Sequence, residues 1–267
     1  MSTVKSPISI KDTLLLLSRK AREGILSIAD ASMALGLSRQ KTATRLYWLV
    51  QQGWLKRIRR GLYLVLPLES NARTASVVDD PWILAKIVYA PCYIGGWTAA
   101  EQWGLTEQLF RSIFAVTTAN VRSGSDELLS LNFRVVKVSD RMLQGTDLIW
   151  RGREQVAVSG PEKTIADAMR SPDWVAGVRH LNEIFSSYVT SDRRELKKLL
   201  DAMEMLASGA AYKRLGYLTE QRWPKGTEII EASLKRRSKG MIKLDPSVKS
   251  RGKFNKKWGL WVNVDFQ

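Results

Sequence analysis

A chain of 267 residues, 45% apolar and with ten tryptophans, holds enough material for one to three folded domains and does not read as disordered. Its formal charge of +16 is unevenly placed: residues 1–66 carry 12 Lys/Arg against 3 Asp/Glu, residues 235–257 carry 10 against 1, and the remainder is slightly acidic. One cysteine, Cys92, excludes an internal disulfide and a multi-cysteine zinc site, and fits a reducing cytoplasm.

Ile10, Leu14, Leu17 and Ala21 recur at helical spacing and predict a first helix over 9–21. The apolar run Leu14–Leu17 is too short for a signal peptide, and no run approaches the ~20 residues of a membrane span. A second helix opens at Ser27, turns Ala31, Ala34 and Leu35 inward, and stops at Gly36, because glycine tolerates the left-handed conformation of a helix end. Leu37 is expected to re-enter the core, and Ser38 to cap a third helix running to about Gln52, which Gly53 ends.

Two short helices joined by "ALGLS" predict a helix-turn-helix. Ala43, Leu46, Leu49 and Val50 are expected to pack inward, while Ser38, Arg39, Gln40, Lys41, Thr42, Thr44 and Arg45 crowd the end that enters the major groove in this motif. Arg and Lys match guanine acceptors, Gln matches adenine, and Thr fits a thymine methyl. A hairpin follows, 54–58 and 62–66 around Arg59-Arg60-Gly61, with Tyr63 in its core. It reads as the wing of a winged helix, with Lys56, Arg57, Arg59 and Arg60 on phosphates or in a minor groove. The expected boundaries are 1–70 for this DNA-binding domain and 78–267 for a larger α+β domain, divided near 160, with the polar stretch "ESNARTASVVDD" between them.

In the second part, Asp80-Pro81 starts a helix reaching Tyr89. A short strand covers 93–96, and "WTAAEQWGL" makes a helix closed by Gly104. Strands are predicted at 113–118, 133–138, 146–150 and 154–158, then helices at about 161–169, 173–185, 192–206, 210–222 and 227–236. Leu260, Val262, Val264 and Phe266 alternate as a closing strand, and there is no internal repeat. The pattern is α+β, with strands first and helices later.

Catalytic chemistry is sparse. His180 is alone, without a second ligand at metal spacing, and reads as structural. No phosphate-binding loop occurs, Gly95-Gly96 is a turn, and Cys92 lacks an obvious base partner. Asp147, Glu154, Glu162 and Lys163 are the residue types of a metal-dependent nuclease, but Pro161 and Glu162 also make a good helix start. The expectation is no enzyme, no cofactor and no metal.

The chain resembles the AbiEi family of antitoxins, regulators of bacterial type IV toxin–antitoxin (abortive infection) systems. The resemblance rests on "RRGLYLV", "YIGGWTAAEQWGL", "VSGPEKTIADAM", "RLGYLTEQ" and "KLDPS…KWGLWVNV", in that order along one chain. It implies a winged helix that binds promoter repeats and represses its own operon. It also implies a C-terminal domain that neutralises a nucleotidyltransferase-like toxin, in the service of antiviral defence. It carries only Arg39–Arg45 and Lys56–Arg60 over as DNA-binding candidates. A ligand-responsive winged-helix regulator and a nuclease stand as rivals.

Lys235, Arg236, Arg237, Lys239, Lys249, Arg251, Lys253, Lys256 and Lys257 form a second basic stretch, interleaved with Met241, Phe254 and Trp258. Three readings stay open at this level: an extension of the DNA footprint, a contact with the toxin or its RNA, or a solvated surface.

Overall fold

The computed structural model describes residues 9–66 and 80–266, and the boundary stretch around 70–78 lies outside them. The described chain is mixed α+β and divides into two compact units, 1–88 with 127–131, and 89–126 with 132–267.

The first unit begins with α1 (Ile10–Lys20), capped by Ser9, whose hydroxyl accepts from the Asp12 amide at 3.1 Å. The three-residue strand β1 (Ile25–Ser27) follows, then α2 (Ile28–Leu35) and α3 (Arg39–Gln51). β2 (Leu55–Arg59) and β3 (Leu62–Val65) form a hairpin, and β1 joins it to give the sheet order β1-β3-β2, antiparallel throughout. Leu14, Leu17, Leu26, Ala31, Leu46, Leu49, Leu55 and Tyr63 make the core. Helix α4 (Pro81–Val88) belongs to this unit; Asp80 accepts from the Trp82 amide at 2.8 Å at its start.

The second unit is built on a mixed sheet of β4 (Cys92–Ile94), β5 (Ser112–Thr117), β6 (Gly124–Leu128), β7 (Leu131–Lys137), β8 (Thr146–Arg151) and β9 (Glu154–Ser159), in the order β6-β7-β5-β4-β9-β8. Strands β5 and β7 run parallel, as do β4 and β9, while β4–β5 and β8–β9 are antiparallel. Helix α5 (Gly96–Gln102) follows β4, and α6 (Pro161–Arg170) follows β9. Helix α6 is buried on all sides from Glu162 to Met169, which makes it the axis of the unit. Around it lie α7 (Val178–Thr190), α8 (Leu196–Leu206), α9 (Gly209–Arg222) and α10 (Thr227–Arg236). Their apolar stripes form one continuous core with α5 and the sheet.

Strands are not confined to the front of this unit. A second small sheet, β10 (Ile242–Lys243), β11 (Lys253–Asn255) and β12 (Leu260–Val262), has the order β10-β12-β11. The expected closing strand shrinks to 260–262, with Val264 and Phe266 past its end. Trp258, fully buried, seats this sheet on α9: an added Cβ on Gly216 would lie 2.1 Å from its ring, so only glycine leaves room. Its Nε1–H donates to Glu220 at 2.6 Å. Arg214, also buried, donates to the carbonyls of Leu244 (2.7 Å) and Met169 (3.0 Å), joining the strand region to the end of α6. Burial pushes its guanidinium down to about 10.

Candidate nucleic-acid interface

The turn between α2 and α3 is fixed by short-range polar bonds. Ser27 caps α2 through the Asp30 amide (3.1 Å), and Gly36 closes it with φ 61. Ser38 caps α3 by accepting from the Lys41 amide at 3.4 Å. Thr42 is 0% exposed; its hydroxyl donates to the Ser38 carbonyl (3.0 Å) and receives the Ser32 hydroxyl (3.1 Å). The expectation that Thr42 faces bases is therefore corrected: it locks the two helices together. Leu37 is corrected too, since it is exposed rather than returned to the core.

With Thr42, Leu46 and Leu49 as the buried stripe, the 3.6-residue period turns Gln40 and Tyr47 to the opposite side and Ala43 to the flank, and Arg39 joins them from the first turn of α3. These four line an open cleft of about 770 Å³ with Arg57, Arg60, Gly61 and Tyr63 from the hairpin and Ile28 from α2. Tyr47 is 64% exposed there. The cleft thus joins two guanidinium groups of the hairpin to Arg39 and Gln40 of the helix. Ala43, expected inward, is half-buried on this face, and Thr44 is exposed beside it with its hydroxyl on the Gln40 carbonyl (3.2 Å).

The other candidates point elsewhere. Arg45 donates to the Thr13 hydroxyl at 3.4 Å and lies over the Trp48 ring at 5.0 Å, so it packs toward α1 and leaves the cleft. Lys41 is exposed on the flank of α3. In the ribbon, Arg57 pairs with Tyr63 and Lys56 with Leu64, which puts Lys56 on the reverse face. Arg59 follows a bulge, is half-buried, and donates to the Val88 carbonyl at the end of α4. Tyr47 was missed by sequence reasoning. Its signal was its position seven residues after Gln40, on the same helical face.

The residues that suggested a nuclease assemble only in part. Asp147, Glu162 and Lys163 line a cavity of about 720 Å³ with Arg193, Lys198 and Asp201. Glu154 is at the far end of the β8–β9 hairpin, paired with Arg151, while Asp147 pairs with Val158. That is four residues, or about 13 Å, along the strand. Glu162 accepts from the Tyr188 hydroxyl (3.0 Å) and the Glu195 amide (3.2 Å). Lys163 and Asp167 form a buried pair at 3.3 Å, and Tyr93 donates to Asp167 at 2.8 Å. Burial raises Asp167, against the pull of Lys163, and raises Tyr93 further. Among the described residues, no three His, Cys, Asp or Glu side chains gather as a metal site. His180 is held by the Val175 carbonyl (2.8 Å) and the Thr106 hydroxyl (2.7 Å), as a buried structural histidine is.

Of the second basic stretch, Arg236 pairs with Glu204 at 3.2 Å and Lys257 with Glu220. Lys235, Arg237, Lys239, Lys249, Arg251, Lys253 and Lys256 are exposed. Among the described residues, none of these seven forms an ion pair.

Residues 12–65 match the family model described as "Transcriptional regulator, AbiEi antitoxin". Over 96% of this chain and 92% of the other, the fold resembles the crystal structure of the RV2827C protein from Mycobacterium tuberculosis, at TM-score 0.60 and 17% identity. No curated protein matches the chain significantly in sequence. No helix among the described residues is long and apolar enough to cross a membrane.

Proposed function

We infer, with the match of residues 12–65 to AbiEi transcriptional regulators as premise, that the first unit is a winged helix-turn-helix that binds duplex DNA. The element order α1-β1-α2-α3-β2-β3 and the sheet order β1-β3-β2 support this reading. The observation that carries it is the convergence of Arg39, Gln40, Tyr47, Arg57 and Arg60 on one cleft. Gln40 and Arg39 present base-reading groups for adenine and guanine. Tyr47 offers an apolar ring with a hydroxyl at its tip, and Arg57 and Arg60 hold phosphates.

The DNA is the repeat sequence of the protein's own promoter, and the regulator is a repressor of its operon. The second unit is the antitoxin, neutralising a nucleotidyltransferase-like toxin. A ligand-responsive regulator is the second reading, because the cavity beside Glu162 and Lys163 has the size of a small-molecule site.

The test is a titration of promoter DNA across a salt series. Replacing Arg57 and Arg60 by alanine is expected to lower the log–log salt slope by about 1.8, at about 0.9 per phosphate contact. An unchanged slope removes the hairpin from the interface. In cells carrying the neighbouring toxin gene, the same variant is expected to keep rescuing growth while promoter repression is lost. Loss of both together refutes the division of labour.

A further inference from the structure

The pairing of the small C-terminal sheet sorts its residues into two faces. Ile242, Leu260 and Asn255 pair across β10, β12 and β11 on one side. Leu260 is fully buried there, over the core that also holds Trp258. Lys243, Trp261 and Phe254 pair across the same strands on the other side. This outer row has two aromatic rings side by side, 4.9 Å between centroids and inclined by 48°. Phe254 is 42% exposed and Trp261 is half-buried. The Arg251 guanidinium lies over the Trp261 ring at 5.8 Å.

Cations flank the row along the chain. Lys249, Arg251, Lys253 and Lys256 are exposed, and between 235 and 257 the single acid is Asp245. Asp245 is buried and turned inward, accepting from the Val178 amide at 2.8 Å and the Ser247 hydroxyl at 2.6 Å. The outer face therefore carries positive charge and ring surface together. A solvated basic surface has no use for exposed rings, and a duplex keeps its base planes inside the stack. A single strand offers both a phosphate chain and open base faces, which is the pairing that stacking platforms recognise.

We propose that the outer face of the β10–β12–β11 sheet binds single-stranded RNA. Phe254 and Trp261 stack on bases, and Lys249, Arg251 and Lys256 follow the backbone. RNA is the standing source of single strands in a cell, whereas single-stranded DNA is transient. The proposal does not depend on duplex binding by the first unit.

The probe is a labelled 12-nucleotide oligouridine, which has no secondary structure, titrated with the full-length protein by fluorescence anisotropy. Phe254→Ala is expected to weaken binding by about 5- to 150-fold, the range for loss of one base–aromatic stack. Lys249→Ala with Lys256→Ala is expected to lower the log–log salt slope by about 1.4, at about 0.7 per phosphate on a single strand. The lysines are exposed, so this variant keeps its fold and reads the site even where an aromatic substitution disturbs the sheet. Arg57→Ala with Arg60→Ala is expected to leave oligouridine binding unchanged, whatever it does to promoter DNA. Three results would each overturn the proposal: Phe254→Ala and the lysine variant binding like wild type, loss of oligouridine binding in the Arg57/Arg60 variant alone, or tighter binding of oligothymidine DNA than of oligouridine.

Discussion

Replacing Gly216 by alanine tests how tightly the terminal sheet is seated on helix α9. The new Cβ falls 2.1, 2.2 and 2.8 Å from three ring carbons of Trp258. Ordinary carbon contacts stand at about 3.5–4.0 Å, so the ring must retreat by more than an ångström. It has nowhere to go, because Trp258 is fully buried and its Nε1–H is bonded to Glu220 at 2.6 Å. Alanine gains about 1 kcal/mol over glycine in a helix interior. Overpacking costs about 3 kcal/mol at the upper end of its usual range. Losing the hydrogen bond to a carboxylate adds about 1.5–3 kcal/mol. The net expectation is a loss of about 3.5–5 kcal/mol. Urea unfolding followed by circular dichroism measures it, with the two units fitted as separate transitions. The companion variant Trp258→Leu in the Gly216→Ala background removes the clash, so the two substitutions are expected to couple by more than about 1 kcal/mol. A Gly216→Ala protein as stable as wild type, or strict additivity, refutes the steric account.

The Thr42 and Tyr47 positions separate folding from recognition on one helix. Thr42→Val is expected to cost about 0.5–1.5 kcal/mol by removing the hydroxyl that bonds the Ser38 carbonyl and the Ser32 hydroxyl, whereas Tyr47→Ala leaves the urea midpoint in place and weakens promoter DNA. The reverse pattern in paired melting and binding curves sinks the assignment of the cleft face. Asp245 gives a pH signature: burial alone would raise its carboxyl, but bonds from Ser247 and the Val178 amide outweigh that and hold it below the usual aspartate value. Its folded pKa is depressed, so its stabilisation is full above the unfolded value of about 3.9 and fades as pH falls through the folded value. Asp245→Asn is expected to flatten the acid limb of a stability–pH curve below about pH 4; an acid limb identical to wild type refutes the capping role.

The first unit was legible because its signals are local. Ser27, Gly36 and Ser38 sit where cap chemistry demands them, and the helices follow. The facing of α3 was legible only in part. Counting polar residues put Thr42 and Arg45 in the groove, but a threonine hydroxyl inside a tight turn is worth more on the backbone, and an arginine finds Trp48 and Thr13 within reach. Strand β1 is three residues long and was not foreseen, since only its last residue, Ser27, was read, as the opening of α2. Edge strand β6, "GSDEL", has no alternating apolar pattern to announce it, and β11, "KFN", is equally mute. Partnerships across long separations, such as Gly216 with Trp258 and Arg214 with Leu244, leave no periodic trace at all. The nuclease constellation failed for a related reason: residue types suggested it, and strand register alone pulled Glu154 away.

Strand β12 is the middle of its sheet, yet it follows both of its neighbours along the chain. A ribosome adding about 5–20 residues per second therefore lays down β10 and β11 before the strand that joins them exists. Until Trp258 emerges, the notch above Gly216 is empty, and Arg214 stays without the ordered Leu244 carbonyl that receives it in the finished fold. The six elements from α1 to β3 are all synthesised by residue 66, long before this delay begins. Nascent chains pass through an interval in which one end of the molecule is finished and the other is not, and any product cut short before residue 258 remains there.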